Sequence, residues 1–405
     1  MKFLNLSLFN WLYFLSLLKK FAFFLFIFLL PVFYLNFFSG IEISKVFLFD
    51  IFIIIFAFIW LFECFFKKER EIKRTNFDFL LFLFSLFLLL SSIFSLNKVQ
   101  SFLGSEGNFQ FSFIQFIFLI FFFYFSLNFI EKKDIHTILG IFLFSQNLVI
   151  LFSFFQGLNL YLLPWLETRN PSFNLISRNL QEVAILAALG ILISLIILFY
   201  TRSLLFKILI SLSLILNLSF LYFFYNPFLN FILIICLFII SYFFSKNFLK
   251  LSPLLITTLV IFLLVVFSFS PPQKSFPLEV DLGYKLSLNL TLQALIHHPL
   301  LGVGGGNFSY LYLKYKPEFI NQTSFWNTIF NHPKSLFLEY LSNFGIFTSL
   351  IFCIFLISVF VKNFFFIFSH FDPKHLLILS PLLFLFLSSF FLNFSFFTFL
   401  IFWLF

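Results

Sequence analysis

The sequence predicts an all-α, polytopic integral membrane protein of about 12 transmembrane helices, with one long extracytoplasmic loop that itself contains helices. Three observations carry that expectation. Hydrophobic residues make up 62% of the 405 and charged residues only 10%, a balance unlike that of soluble domains. Apolar runs near 20 residues, the length that crosses roughly 30 Å of hydrocarbon, recur from Phe21 onward. Basic residues cluster in the short breaks between those runs, where they report topology.

The net charge of +9 is therefore assigned to loop orientation, and no nucleic acid partner is expected. The chain has 82 Phe. They are read as generic lipid-facing bulk, because Phe, Leu and Ile partition similarly into hydrocarbon, so function is sought among the other residues. Cys64, Cys236 and Cys353 each lie in an apolar run, which suits neither a disulfide framework nor a thiolate metal site. Lys19 and Lys20 precede the run 21–38 with no small-residue cleavage site after it, so that run is expected to be a retained first span.

Taken in order, spans are expected near 21–38, 46–66, 77–95, 111–130, 135–156, 180–200, 208–225, 228–245 and 251–270, then 343–361, 376–392 and 393–405. Only Asn393 separates the last two, and one tilted helix is the alternative. Residues 1–18 suit an interfacial helix. This divides the chain into a membrane domain, 1–270, an extracytoplasmic loop, 271–342, and C-terminal spans, 343–405. The densest basic block, from Lys67 to Arg74, is placed in the cytoplasm. Alternation then brings Lys19 and Lys20, Lys132 and Lys133, Arg202 and Lys207, Lys246 and Lys250, and Lys362 and Lys374 to that side. Both termini would be cytoplasmic, in the plasma (inner) membrane.

Within the loop, leucines spaced between 282 and 298 predict a helix. Four of the twelve glycines fall within residues 302–306 and would end it. A second helix is expected to start at Asn331, His332 and Pro333, where Asn or His can cap and Pro suits the first turn. The halves of the chain show no repeat, which weighs against the pseudo-symmetric halves of many transporters. Asp50, Asp78, Gln115, Gln146 and Asn147 are expected to make hydrogen bonds between helices.

Three segments could carry chemistry. Arg169 and Arg178 lie in the outer loop before the sixth span, against the topological bias. A solvated loop is the plain reading; the functional one is a diphosphate clamp, since guanidinium matches phosphate oxygens bidentately and Arg178 precedes a helix N-terminus. The second is the run from His298 and Pro299 through Gly302, Gly304, Gly305 and Gly306 to Asn307 and Phe308, read plainly as a helix stop and turn. Adjacent His297 and His298 are poorly disposed to chelate one metal, and no metal is expected. The third runs from His332 to Gly345, with Ser335, Glu339 and Ser342 on one helical stripe. Lys334 in a first turn opposes the helix dipole and calls for an anion.

Together the second and third segments resemble the O-antigen ligase and O-antigen polymerase superfamily, whose other recurrent element is similar to Arg169, Asn170 and Pro171 with Arg178 and Asn179. With the long late loop, the likeness extends over most of the chain. The resemblance implies a GT-C type, metal-independent and inverting glycosyltransferase needing no cofactor. Such an enzyme moves a glycan from a polyprenyl diphosphate carrier to a glycan, lipid or protein acceptor at the outer membrane face. Arg169, Arg178 and Lys334 would hold the diphosphate; His298, Gly304, Asn307, Trp326, Ser335 and Glu339 would supply sugar or loop contacts. The family usually has a histidine followed by Asn, Ser or Gln, then a glycine after nine further residues, and counting back from Gly345 puts Lys334 at the histidine position and Ser335 at the next. Lys334 could then be a cation or a desolvated base, or His332 could take the base role. A lipid-linked oligosaccharide flippase, or a non-catalytic family member acting in assembly, is the alternative. Ligase and polymerase use one donor and are not separable by sequence.

Overall fold

A computed structural model describes residues 2–35, 40–66, 73–105, 107–162, 174–176, 179–247, 251–270, 280–369 and 373–404. All regular structure among them is helical. The helices are α1 (Lys2–Val32), α2 (Ile41–Phe66), α3 (Asp78–Ile93), α4 (Lys98–Leu103), α5 (Phe113–Phe129), α6 (Ile135–Gly157), α7 (Leu180–Tyr200) and α8 (Leu204–Phe224). They continue as α9 (Pro227–Asn247), α10 (Leu251–Phe269), α11 (Tyr284–His297), α12 (Phe308–Tyr315), α13 (Leu336–Ser369), α14 (Pro373–Ser389) and α15 (Phe396–Leu404). Among the described residues six are long and apolar enough to cross a membrane, carried by α1, α2, α6, α7, α8 and α13. The chain is built as a multi-pass membrane protein.

α7 is the central helix, with every residue from Leu180 to Ile196 buried. Gly190 makes that packing possible: a Cβ there would lie 2.0 Å from Gln146 Nε2 and 2.4 Å from Asn217 Oδ1. Asn217 donates to Asn147 Oδ1 at 3.1 Å, and Asn147 donates to Ser213 at 2.8 Å. These polar groups satisfy one another between α6 and α8, as interhelical bonds do in hydrocarbon. Gln115 likewise donates to Asp50 at 3.1 Å.

The structure departs from several expectations. Phe is not only lipid-facing: Phe23, Phe26, Phe49, Phe56 and Phe122 are buried and meet as stacked, tilted and edge-on pairs at 5.5 to 6.3 Å. Rings fill wide interhelical gaps with favourable quadrupole geometry. α1 runs unbroken from Lys2, so no joint separates residues 2–18 from the span. Lys19 pairs with Glu63 at 2.6 Å and Lys20 with Glu131 and Asp134 at 2.9 Å, which accommodates both charges on one continuous helix. α15 has nine residues, roughly 13 Å of rise, too little to cross alone. Its start is held by the buried carboxylate of Glu182 in α7, which accepts from Ser395 N at 2.8 Å and from Thr398 Oγ1.

The two ends of the bundle differ. Lys19, Lys20, Lys132 and Lys133 gather at one end, with Lys73 bonded to the Leu127 carbonyl at 3.0 Å. Lys362 lies over the Phe77 ring, 4.5 Å from its centroid, at the same end. The opposite end holds the turn after α3, the glycine-rich loop, residues 331–335 and the break between α14 and α15.

Candidate functional site

The site end is organised by a break in α13. Gly345 has φ 70° and ψ −171°, which interrupts the helical ladder and releases backbone groups that must find partners elsewhere. The glycine-rich loop supplies them. Val303 N donates to Ser342 O at 3.0 Å, Gly304 N to Asn343 O at 2.8 Å, and Ile346 N to Pro299 O at 3.0 Å. Contact this close needs glycine on both sides: a Cβ on Gly302 would meet the Asn343 backbone at 2.5 Å, and one on Gly345 would meet Gly302 N at 2.6 Å. Ser91, at the end of α3, donates to Leu301 O at 2.7 Å and to Asn343 O at 3.2 Å. Asn307 is buried and donates to Ser101 Oγ at 2.8 Å and Val303 O at 3.1 Å.

α11 ends at His297, with His298 as its C-cap and Pro299 next, ahead of the loop glycines that were expected to stop it, and runs beside the first turns of α13 in a constant register. Ser287 Oγ accepts from Lys334 N at 2.9 Å, and Thr291 Oγ1 reaches Leu338 O at 3.5 Å; Pro299 then meets Ile346. Each pair is 47 positions apart.

Residues 331–335 stay outside the helix, contrary to the expected start at Asn331. α13 begins at Leu336 because Ser335 provides the cap: its Oγ accepts from Leu338 N at 3.3 Å, as an N-cap hydroxyl does. Leu336 N donates to Leu392 O at 3.0 Å, which fastens the segment to the break between α14 and α15. The Lys334 ammonium faces Asp281 Oδ2 at 2.5 Å, with both side chains partly exposed.

His332 Nδ1 lies 2.8 Å from Glu339 Oε1. The other carboxylate oxygen accepts from Asn393 Nδ2 at 2.8 Å, and Asn393 also donates to Pro333 O at 3.3 Å. Glu339 is fully buried, while 28% of the His332 side chain remains accessible. Burial opposes charging of the ring, but the Glu339 carboxylate, with smaller contributions from Glu42 and a hydrogen bond to the Gly107 backbone, outweighs it and lifts the imidazole to about 9. His332 is thus an imidazolium at neutral pH, with Nε2 beside Gly107.

Of the residues singled out in the sequence, His332, Lys334, Ser335 and Glu339 come together in this segment. Gly304 and Asn307 are interior parts of the loop that supports it. His298 is exposed at the end of α11; burial, then the charges of His297 and Lys314, lowers its imidazole below the usual value. Trp326 is 62% exposed, its carbonyl accepting from Lys316 Nζ. Arg169 and Arg178 lie outside the described residues. Asp281 and Asn393 were not anticipated as partners. Asn393 had a visible signal, being the polar interruption of the last apolar stretch; Asp281 had none beyond its place just before α11.

Among the described residues no group of three or more His, Cys, Asp or Glu is disposed to hold a metal ion. Comparison with models of known protein families finds no match, and comparison with curated proteins also finds none. Chemically, the segment offers two cations two residues apart, each fixed by a carboxylate. That suits charge stabilisation on an anionic group more directly than proton abstraction.

Proposed function

We propose that the chain is a membrane glycosyltransferase of the O-antigen ligase and polymerase type, moving a glycan from a polyprenyl diphosphate carrier to an acceptor hydroxyl. The observation that supports this reading is the fixed pair of cations, Lys334 and the His332 imidazolium, on a non-helical segment held by α11, α13 and residues 392–393. Diphosphate needs no protonation to leave, but the charge growing on the departing oxygen needs cations already in place. Asn179, next in the chain after Arg178, caps α7 by accepting from Gln181 N at 2.6 Å, and α7 reaches the same end through Glu182. Arg178 and Arg169 complete the proposed diphosphate set. The reading places the spans in the plasma membrane with the basic end and the N-terminus cytoplasmic and residues 271–342 outside.

The test is reconstituted protein given a polyprenyl-diphosphate glycan and candidate acceptors. Release of the carrier with glycan on the acceptor is expected, and Lys334→Ala or Arg178→Ala should reduce it by at least tenfold. Full product at wild-type rates from both variants would sink the proposal. Translocation without release would instead indicate a flippase.

One observation favours a second reading, a non-catalytic assembly partner. Both ring nitrogens of His332 face groups that hold its protons, and lysine stands where the family usually has histidine. Binding of the donor without turnover would select that reading.

A further inference from the structure

α11 carries three faces, and their order is unusual. The face against α13 is small and polar, with Ser287, Thr291 and Ala294 buried beside Leu290. One exposed stripe, Tyr284, Leu288, Leu292 and Ile296, is apolar. The next stripe, Lys285, Asn289, Gln293 and His297, is exposed and polar, about 100° further round the helix. A helix on a water-exposed surface puts its apolar residues inward; here the apolar stripe points away from the protein.

The apolar stripe leads into the exposed apolar surface of a helix that is long and apolar enough to cross a bilayer. It continues through exposed Leu300 to the point where Pro299 O accepts from Ile346 N. Ile346, Phe347 and Leu350 are exposed on α13, a helix long and apolar enough to cross the bilayer. Gly345 is seventeen residues from Lys362 at the basic end, roughly 25 Å of helix rise. That is within the roughly 30 Å of hydrocarbon, so Leu300 adjoins α13 at bilayer depth.

We infer that α11 lies at the lipid–water boundary of the site-end leaflet, with positions 284, 288, 292, 296 and 300 against acyl chains and Lys285, Asn289, Gln293 and His297 toward water. The burial of apolar area on a helix with a polar opposite face is the usual basis of interfacial binding. Part of the segment read as a free extracytoplasmic loop is then a membrane-seated element. Its Ser287 fixes Lys334, so the boundary also sets the height of the cationic segment. If the proposed transfer reaction is correct, a lipid-linked donor reaches that segment without leaving the bilayer.

The test needs no substrate and so is independent of the transfer reading. In protein with Cys64, Cys236 and Cys353 replaced by alanine, nitroxide labels are placed singly through Leu288→Cys, Leu292→Cys, Ile296→Cys, Asn289→Cys and Gln293→Cys. Ile346→Cys marks a lipid-facing position. After reconstitution into phosphatidylethanolamine and phosphatidylglycerol vesicles, relaxation by oxygen should dominate at 288, 292, 296 and 346, and relaxation by a water-soluble nickel chelate at 289 and 293. Nickel dominance at all five α11 positions would overturn the inference, placing the helix in water. Protection of 288, 292 and 296 from both reagents would also overturn it, since protein would then cover the stripe.

Discussion

His332 Nδ1 and Glu339 Oε1 are 2.8 Å apart across the capped first turn of α13, and the carboxylate is fully buried. The pairing makes the segment's stability depend on pH with a defined sign. His332 is raised to about 9 from an ordinary value near 6.5, so its stabilisation is fully present below pH 6.5 and is lost as pH rises through about 9. The shift corresponds to roughly 3 kcal/mol at most. His332→Gln should therefore lower the melting temperature of the purified protein most at pH 6, with the gap to wild type closing above about pH 9. A gap that stays constant from pH 6 to pH 10 would remove the ion pair from the explanation.

Asn393 holds the second oxygen of the same carboxylate. Asn393→Ala should cost about 1 to 2 kcal/mol by leaving buried acceptors unsatisfied. Asn393→Asp should cost more, because it sets a second carboxylate against Glu339. Thermal melts of the two variants at pH 7 test the order: a more stable Asp variant would contradict the hydrogen-bond geometry.

The glycines separate into two kinds. Gly345 and Gly302 have positive φ and face backbone atoms that cannot move aside, so Gly345→Ala and Gly302→Ala should sharply reduce the yield of folded protein. Gly140, within α6, has nothing within 4 Å of a built Cβ, and Gly140→Ala should stabilise by up to about 1 kcal/mol through helix propensity. Size-exclusion profiles and melts of the three variants check this contrast.

Gly190→Ala should disrupt α6 and α8 around α7, since its Cβ would enter the positions of Gln146 and Asn217. Adding Gln146→Ala and Asn217→Ala should restore part of the lost stability, by making room for the methyl group. If the triple variant melts below Gly190→Ala alone, the hydrogen bonds matter more than the space.

Much of this architecture was legible because hydrocarbon imposes length: the expected run at 180–200 is α7 itself, and 135–156 differs from α6 by one residue. The glycine loop and His332 to Gly345 were also visible as places of unusual composition. What could not be read was pairing at long range. Nothing local to Asp281 announces Lys334, 53 positions away, or to Asn393 announces Glu339, 54 positions away. The start of α13 was misplaced because proline and histidine at 332–333 imitate a helix opening, whereas the Ser335 hydroxyl makes the actual cap. The role of Phe was misjudged for a related reason: hydropathy is blind to whether a ring meets lipid or another ring.

The joint between the glycine loop and the break in α13 also constrains how the protein can be made. Ser91 waits for Leu301 and Asn343, 210 and 252 positions later, and Glu339 waits for Asn393. During synthesis the early helices must enter the bilayer with these partners still missing. The cationic segment can settle only after the chain has emerged past residue 393, making its assembly among the last events of biogenesis.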